Sequence, residues 1–344
     1  MKVCPACGTE YGDDAAFCSR DRSPLRPRTS EATPGLVGQL IGERYQVERR
    51  LGMGGMGEVY LARHLLMGRL SALKVIGAEL SKDPDAVARF NREATNASRI
   101  AHPNVCAVYD FGLTPDGLVF LAMEYVEGPT LNDLLSDGPM PVARAAALVA
   151  ECAAGLQAAH DLGIVHRDLK PDNIMVAAGT GRVKLVDFGI AKAAEDSTGQ
   201  RVTKTGFVVG TPEYMSPEQL AGDPLDGRSD QYSLALVFYR LVTGRLPFEG
   251  TSLQETLVKR LTDPPKPLAQ AHPAAHFPSG LQDVMDRALA RQPAERFATV
   301  RDFAGAVTAI AGEDALPTRR LTGISGGRAD LPPTRLTPAR RSRA

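Results

Sequence analysis

Residues 166–173 of this 344-residue chain read His-Arg-Asp-Leu-Lys-Pro-Asp-Asn, and they form the most specific string in the sequence. Asp168 can accept the proton of a hydroxyl group and orient its oxygen for attack. Lys170 can neutralise charge on a transferred phosphoryl group, and Asn173 can hold Mg²⁺. A charged surface loop rarely has this order of residues, so the string predicts a catalytic loop.

A second acidic site follows fourteen residues after Asn173, beyond a predicted strand. Residues 183–186 are mainly apolar and lead into Asp187, Phe188 and Gly189. Asp187 is a natural Mg²⁺ ligand because that ion prefers oxygen ligands such as carboxylates. The three-residue string is short enough to arise by chance, but its position after the catalytic loop favours a metal-binding role.

Upstream, residues 51–59 read Leu-Gly-Met-Gly-Gly-Met-Gly-Glu-Val and form a glycine-rich loop between two predicted strands. Gly52, Gly54 and Gly57 would let the backbone approach phosphate oxygens closely and present N–H donors. A dinucleotide-binding fold would need a helix directly after this loop. Here residues 58–61 continue as a strand, which argues against that fold.

The next predicted strand carries Ala72 and Lys74, which strand alternation places on one face. A small residue at position 72 leaves room for a flat base, and Lys74 can reach a phosphate. A predicted helix follows with Glu93 on it, and an ion pair from Glu93 would hold Lys74 in place. A lone Lys on a strand is usually only solvated, so the Glu93 partner strengthens the binding-site interpretation.

Together these strings resemble the protein kinase family, in the order and structural context that the family shows. The resemblance covers about Tyr45 to Ala311 and is most similar to bacterial eukaryotic-like Ser/Thr kinases. It implies an α+β, bilobal protein-kinase fold, in which a small β-rich lobe with one helix precedes a large helical lobe. It also implies ATP as phosphoryl donor, Mg²⁺ or Mn²⁺ as metal, and Ser/Thr residues of proteins, including this protein itself, as acceptors.

The resemblance further assigns an adenine pocket. Met123 is similar to the gatekeeper residue of the family, and the backbones of Glu124 and Val126 would hydrogen-bond adenine. Four side chains would enclose the ring: Leu51, Val59, Ala72 and Met175. Plain core packing is the alternative for each of them, and for Val59 and Ala72 both interpretations can hold.

Residues 210–218, Gly-Thr-Pro-Glu-Tyr-Met-Ser-Pro-Glu, resemble the end of a kinase activation segment. By that resemblance Thr211 would contact the catalytic loop. Glu218 would pair with Arg296 inside the large lobe. Asp230 would anchor the backbone of the catalytic loop.

The string Val202-Thr203-Lys204-Thr205 is similar to the stretch that bacterial kinases of this kind autophosphorylate. Thr203 and Thr205 are therefore the expected phosphorylation sites. Arg167, beside the catalytic Asp, would give such a phosphate a charged partner and could order the segment. The alternative is a mobile loop whose threonines only form turns.

The N-terminus carries Cys4 and Cys7 in a Cys-x-x-Cys knuckle, followed by Cys18 and Asp21. This spacing resembles a small zinc ribbon, and thiolates so spaced chelate one tetrahedral Zn²⁺. So short a segment has no core without metal. Asp21 stands where the fourth thiolate is expected. The alternatives are a redox Cys-x-x-Cys and a decayed ribbon held only by its strands.

Composition divides the chain into four predicted parts. Residues 1–25 are the zinc-ribbon-like module, and residues 26–40 mix Pro, Ser, Thr, Gly and Arg as a linker. Residues 41–311 are the kinase domain. Residues 312–344 hold seven arginines against three acidic residues and are expected to be a disordered, basic tail.

The bulk composition limits the partners of the protein. A net charge of zero argues against nucleic acid or a membrane surface as the main partner. The N-terminus lacks the apolar region of a signal peptide, and the Ala-rich stretch 142–159 contains charged residues, so we expect a buried helix and no membrane span. Cys106 and Cys152 are isolated in apolar surroundings, which favours a reducing compartment and a cytoplasmic location.

An active kinase is favoured over three alternatives. A pseudokinase scaffold would be expected to lack Lys74, Asp168 or Asp187, and all three are present. A kinase acting on a small molecule is less favoured because residues 211–218 resemble a peptide-binding shelf. Nucleic-acid binding through the N-terminal module has no support from an excess of basic residues.

Overall fold

The computed structural model describes most of the chain. The described residues are 2–4, 9–12, 15, 18, 26–27, 35–54, 57–76, 84–188 and 212–314. Three short strands come first: β1 (Lys2–Val3), β2 (Glu10–Tyr11) and β3 (Arg26–Pro27). They pair antiparallel in the order β2-β1-β3. Because β3 lies past residue 25, this small sheet extends beyond the predicted end of the N-terminal module.

The small lobe is built on one antiparallel sheet of six strands in the order β4-β5-β6-β7-β9-β8. Its strands are β4 (Leu40–Ile41), β5 (Tyr45–Gly54), β6 (Gly57–His64), β7 (Leu70–Ile76), β8 (Val108–Leu113) and β9 (Val119–Glu124). The glycine-rich loop lies between β5 and β6, which pair directly up to Gly54 and Gly57. The loop therefore joins two strands, as the sequence predicts.

The end of the predicted linker belongs to the small lobe. Leu36 is buried and packs with Tyr45 and Val47 in the core on one face of the sheet. The Val47 amide donates to the Gln39 carbonyl at 2.9 Å. The linker is therefore shorter than the predicted range 26–40. Burial of the apolar side chain of Leu36 against the sheet lowers the free energy of the folded state and draws this segment into the lobe.

Strand alternation divides β7 between two environments. Leu73 and Val75 turn into the core on one face of the sheet. Ala72 and Lys74 turn to the opposite face, where helix α1 (Pro84–Ser98) packs against β8. A polar lysine thus reaches the cleft without entering the small-lobe core.

The described part of the large lobe contains eight α-helices, one hairpin and three short 3-10 helices. The hairpin is β10 (Ile174–Val176) with β11 (Val183–Leu185). The helices are α2 (Leu131–Leu135), α3 (Val142–His160), α4 (Pro217–Ala221), α5 (Gly227–Thr243), α6 (Leu253–Thr262), α7 (Leu268–Ala271), α8 (Leu281–Ala288) and α9 (Val300–Asp314). Helix α9 runs into the first residues that the sequence assigned to the tail.

Helix α3 is the centre of the large-lobe core. Within the described ranges it is the one helix long and apolar enough to cross a bilayer. Its Val149, Cys152 and Leu156 are fully buried, and it packs against α5, α9 and β11. The prediction of a buried core helix over residues 142–159 is thus confirmed.

Candidate active site

The catalytic loop is held by one buried carboxylate on α5. The backbone amides of His166 and Arg167 donate to the two oxygens of Asp230, at 2.7 and 3.0 Å. Burial alone would raise the pKa of Asp230, but hydrogen bonds from His160 and from the His166 amide bring that pKa below its usual value. The predicted anchoring role of Asp230 is confirmed.

His160 is a member of this cluster that the sequence analysis missed. It is the last residue of α3, and its Nε2 lies 2.7 Å from Oδ2 of Asp230. The available signal was a histidine that ends a buried helix six residues before His166. Two core helices and the catalytic loop therefore meet at one carboxylate.

Inside the loop, Asp168 is fixed by two neighbours. The side-chain amide of Asn173 donates to the Asp168 carbonyl at 2.7 Å and to its Oδ2 at 3.1 Å. Lys170 Nζ lies 3.1 Å from the same Oδ2. Arg167 has a φ of 65°, a left-handed conformation that is uncommon for a side chain of this size. Because the Asp168 side chain is 23% exposed, its oriented carboxylate is open to a substrate.

Asn173 and Asp187 are joined through the backbone of the hairpin. The Val186 amide donates to the Asn173 carbonyl at 3.0 Å, which places residue 187 beside the catalytic loop. Asp187 itself has a φ of 60°. The hairpin therefore brings together the two residues that the sequence predicts as Mg²⁺ ligands.

The predicted ion pair between Lys74 and Glu93 is wrong for this structure. Lys74 Nζ lies 2.9 Å from Oδ1 of Asp187, and among the described residues no ion pair within 4.0 Å joins Lys74 to Glu93. Helix α1 places Phe90 and Ala94 in the hydrophobic core. The Lys74 ammonium group therefore pairs with the carboxylate of Asp187.

Several predicted adenine-pocket residues share one face of the sheet. Val59 on β6 is directly opposite Lys74, and Ala72 is directly opposite Met123 on β9. From the large lobe, Met175 forms a bridge with Thr130. The remaining members occupy different environments, Leu51 being 36% exposed and Val126 8% exposed. The structure thus brings Val59, Ala72 and Met123 together around Lys74.

Glu124 has more partners than the sequence indicated. Its carboxylate accepts from Lys184 Nζ at 2.7 Å and from the Ala107 amide at 3.2 Å. Its carbonyl accepts from the Cys106 thiol at 3.3 Å. The sequence analysis assigned only the backbone of Glu124 and missed Lys184, a charged residue within the apolar pattern of β11.

Gly57 is required by the sheet itself. It has a φ of 145°, and a Cβ at this position would lie 1.9 Å from the Val75 carbonyl oxygen. A Cβ at Gly52 would meet no atom within 4 Å. Close strand packing therefore requires glycine at position 57, whereas position 52 has room for a side chain.

The predicted pair between Glu218 and Arg296 is confirmed. Both carboxylate oxygens of Glu218 accept from the guanidinium at 2.8 Å, and Ser229 Oγ donates to Oε1 at 2.6 Å. Burial would raise the pKa of Glu218, but Arg296 and Ser229 hold it below its usual value. Arg296 also lies over the ring of Tyr232, at 4.6 Å from its centroid.

Some predicted sites lie outside the described residues. These are Cys7, Asp21, Thr203, Thr205 and Thr211. Of the predicted zinc ligands, Cys4 and Cys18 are described and are 1% and 2% exposed. Across the described ranges there is no group of three or more His, Cys, Asp and Glu side chains that could hold a metal ion.

Comparisons with known proteins agree with this geometry. A model of the protein kinase domain matches residues 45–305. Serine/threonine-protein kinase pkn3 of Myxococcus xanthus is 42% identical over 87% of this chain and 56% of its own length. PknB of Mycobacterium tuberculosis is 44% identical over 76% of this chain and 42% of its own length. This chain therefore spans about half the length of the curated relatives it matches.

A solved structure gives the same assignment. The kinase domain of Mycobacterium tuberculosis PknI superposes with a TM-score of 0.64 at 35% identity, covering 80% of this chain and 99% of that domain. The family match takes in the catalytic loop, the glycine-rich loop and Asp187. The chain belongs to the protein kinase family, and its kinase domain is of the bacterial Ser/Thr type.

Proposed function

We propose that this protein transfers the γ-phosphoryl group of ATP to Ser and Thr hydroxyl groups of proteins. The observation that carries the proposal is the fixed carboxylate of Asp168, oriented by Asn173 and Lys170. In the proposed reaction Asp168 orients the acceptor hydroxyl and accepts its proton. Lys170 lies beside the reacting oxygen and neutralises charge on the phosphoryl group in transit. Catalysis is then mostly positioning and electrostatic stabilisation.

ATP would lie against the shared face of the small-lobe sheet. Ala72 and Val59 present small apolar side chains beside Lys74, which suits a flat base with a phosphate chain. Lys74 would exchange its Asp187 contact for the phosphates. The backbones of Glu124 and Val126 are proposed to recognise the edge of adenine.

Asn173 and Asp187 fit Mg²⁺ or Mn²⁺ as ligands. The Asn173 amide nitrogen is engaged with Asp168, and this leaves the amide oxygen, the atom that a hard cation prefers. Asp187 adds a carboxylate that is 30% exposed. When bound, the metal would neutralise charge on the phosphate oxygens.

The experiment is a phosphorylation assay with Mg²⁺-ATP and site mapping by mass spectrometry, beside Asp168→Asn as the matched control. We expect phosphate on Ser or Thr residues with the wild-type protein and none with the variant. A wild-type protein that binds ATP but transfers no phosphate would refute the proposal. It would favour the alternative of a pseudokinase scaffold.

Regulation by autophosphorylation is part of the proposal. Thr203 and Thr205 lie between Asp187 and Glu218 in the sequence. Arg167 is partly buried next to Asp168, so a phosphate bound there would act directly on the catalytic loop. We expect Thr203→Ala with Thr205→Ala to lower activity toward an added protein while leaving ATP affinity unchanged. Equal activity of this double variant and the wild type would contradict the switch.

We further propose that the N-terminal module binds Zn²⁺ through Cys4, Cys7, Cys18 and Asp21. Cys4 and Cys18 are almost fully buried beside a sheet of two-residue strands, which is too small to be stable by itself. Metal analysis of protein purified without chelator should find about one Zn²⁺ per chain. The double variant Cys4→Ser with Cys18→Ser should lose it, and wild-type protein without zinc would refute the site.

A further inference from the structure

The four residues 212–215, here called the shelf turn, have all four backbone carbonyl groups hydrogen-bonded to side chains of the large lobe. Pro212 and Tyr214 are buried, whereas Glu213 and Met215 are partly exposed. Three of the four carbonyl groups, those of residues 212, 213 and 215, accept from the guanidinium of Arg260. The fourth, that of Tyr214, accepts from Ser233 Oγ at 2.8 Å. The backbone of the shelf turn is therefore fixed by side chains of α5 and α6.

Arg260 is unusual among the charged residues of this chain. It is 1% exposed, and no carboxylate lies within 4.0 Å of its guanidinium among the residues that the structure describes. Its Nε has no hydrogen-bond partner there either. Burying a charge without a counter-ion is costly unless hydrogen bonds compensate. The carbonyls of Pro212 and Met215, at 2.8 and 2.9 Å, are the main compensation, together with that of Glu213.

The shelf turn is linked in turn to the catalytic loop. It runs directly into α4, where Ser216 and Gln219 form a capping box. The side-chain amide of Gln219 then donates to the Arg167 carbonyl at 2.7 Å, next to Asp168. These contacts thus set the position of the shelf turn relative to the Asp168 carboxylate.

We infer that Arg260 is a positioning residue for the acceptor protein, because it fixes the backbone of the shelf turn, which α4 and Gln219 connect to the loop that carries Asp168. This inference rests on the proposed kinase function and refines it. Arg260 lies on α6 in the large lobe, whereas the predicted ATP residues around Lys74 lie on the small-lobe sheet. Loss of Arg260 should therefore weaken use of the acceptor and spare the use of ATP.

The test compares Arg260→Met with Arg260→Lys and with the control Lys259→Met. Lys259 is the neighbour on α6 and contacts Glu255 at 2.9 Å on the surface. Myelin basic protein serves as acceptor, and ATP hydrolysis without acceptor reports the nucleotide site alone. For Arg260→Met we expect an acceptor KM raised about tenfold or more, with the ATP KM and the hydrolysis rate within about twofold of wild type. Arg260→Lys should bring the acceptor KM only part of the way back to the wild-type value, because an ammonium group lacks the planar fork of donors.

Hydrogen exchange of backbone amides in residues 212–221 gives a second readout that needs no activity. We expect faster exchange in Arg260→Met and no change in Lys259→Met. Ser233→Ala, which removes the hydroxyl that donates to the Tyr214 carbonyl and also contacts the Ser229 carbonyl within α5, should show the same pattern more weakly. Unchanged exchange in Arg260→Met, or an equal loss toward ATP and acceptor, would overturn the inference. A wild-type protein that phosphorylates no acceptor would refute the proposed function, and the exchange data would still decide on Arg260.

Discussion

His160 Nε2 lies 2.7 Å from Oδ2 of Asp230, and the same oxygen accepts from the backbone amide of His166 in the catalytic loop. Helix α3 supplies the histidine and helix α5 the acid, and both helices are packed in the large-lobe core. The catalytic loop is thereby attached to the buried core of the large lobe. A substitution at His160, which is remote from the proposed ATP site, should therefore shift the position of Asp168.

His160→Ala should lower both kcat and stability. Asp230 would keep its two backbone contacts but lose the only side-chain partner that fixes its orientation among the described residues. A small misplacement of the loop can slow a positioned reaction by about 10-fold to 100-fold, and loss of a hydrogen bond to a charged group costs about 1.5–3 kcal/mol. Steady-state kinetics and denaturant unfolding measure the two effects.

The matched control for that variant is His276→Ala. His276 is exposed, so its removal should change neither kcat nor the free energy of unfolding by a measurable amount. If His160→Ala and His276→Ala behave alike, the contact between His160 and Asp230 has no part in holding the loop.

The sequence predicted those contacts correctly in which a family motif assigns a given residue type to a given role. Glu218 with Arg296, and Asp230 with the loop backbone, were expected from the family pattern, and both are formed. Lys74 illustrates the limit. Its partner depends on where tertiary packing places α1 and Asp187, and no local string specifies this arrangement.

Arg260 shows a second limit of the same kind. In the sequence it is one of two adjacent basic residues on an amphipathic helix, Lys259 and Arg260, and either could be the exposed one. Only the tertiary packing of α6 against the shelf turn turns Arg260 inward. Long-range hydrogen bonds from a side chain to a backbone carbonyl leave no periodic signal that a sequence pattern could reveal.

Lys74 should be coupled to Asp187 and not to Glu93 in the protein without nucleotide. A double-mutant cycle of Lys74→Met with Asp187→Asn is expected to give a coupling energy of at least about 0.5 kcal/mol in unfolding experiments, as for residues in contact. The cycle of Lys74→Met with Glu93→Gln should give a value near zero. A larger coupling in the second cycle would contradict the arrangement of these charges.

Gly57→Ala should destabilise the small lobe and weaken ATP binding. The added Cβ would meet the Val75 carbonyl, and the φ of 145° is strained for any residue with a side chain, a penalty of about 1–3 kcal/mol before the steric clash. Gly52→Ala is the control from the same loop, since its Cβ enters open space. Thermal unfolding of both variants should show a lower midpoint for Gly57→Ala only. Equal midpoints would mean that β6 and β7 do not approach as closely as the structure indicates.

Glu218→Gln should cost about 3–5 kcal/mol at neutral pH, because it leaves Arg296 buried without its counter-ion. The pKa of Glu218 is depressed in the folded state relative to the ordinary value of 4.5. Its stabilising contribution is therefore complete above pH 4.5 and is lost as the pH falls through the lower, folded-state pKa. The stability gap between wild type and Glu218→Gln should accordingly stay constant from pH 7 to about pH 5 and narrow in more acidic buffer. Denaturant unfolding at a series of pH values measures this gap. A gap that widened on acidification would mean that the pair does not stabilise the ionised carboxylate.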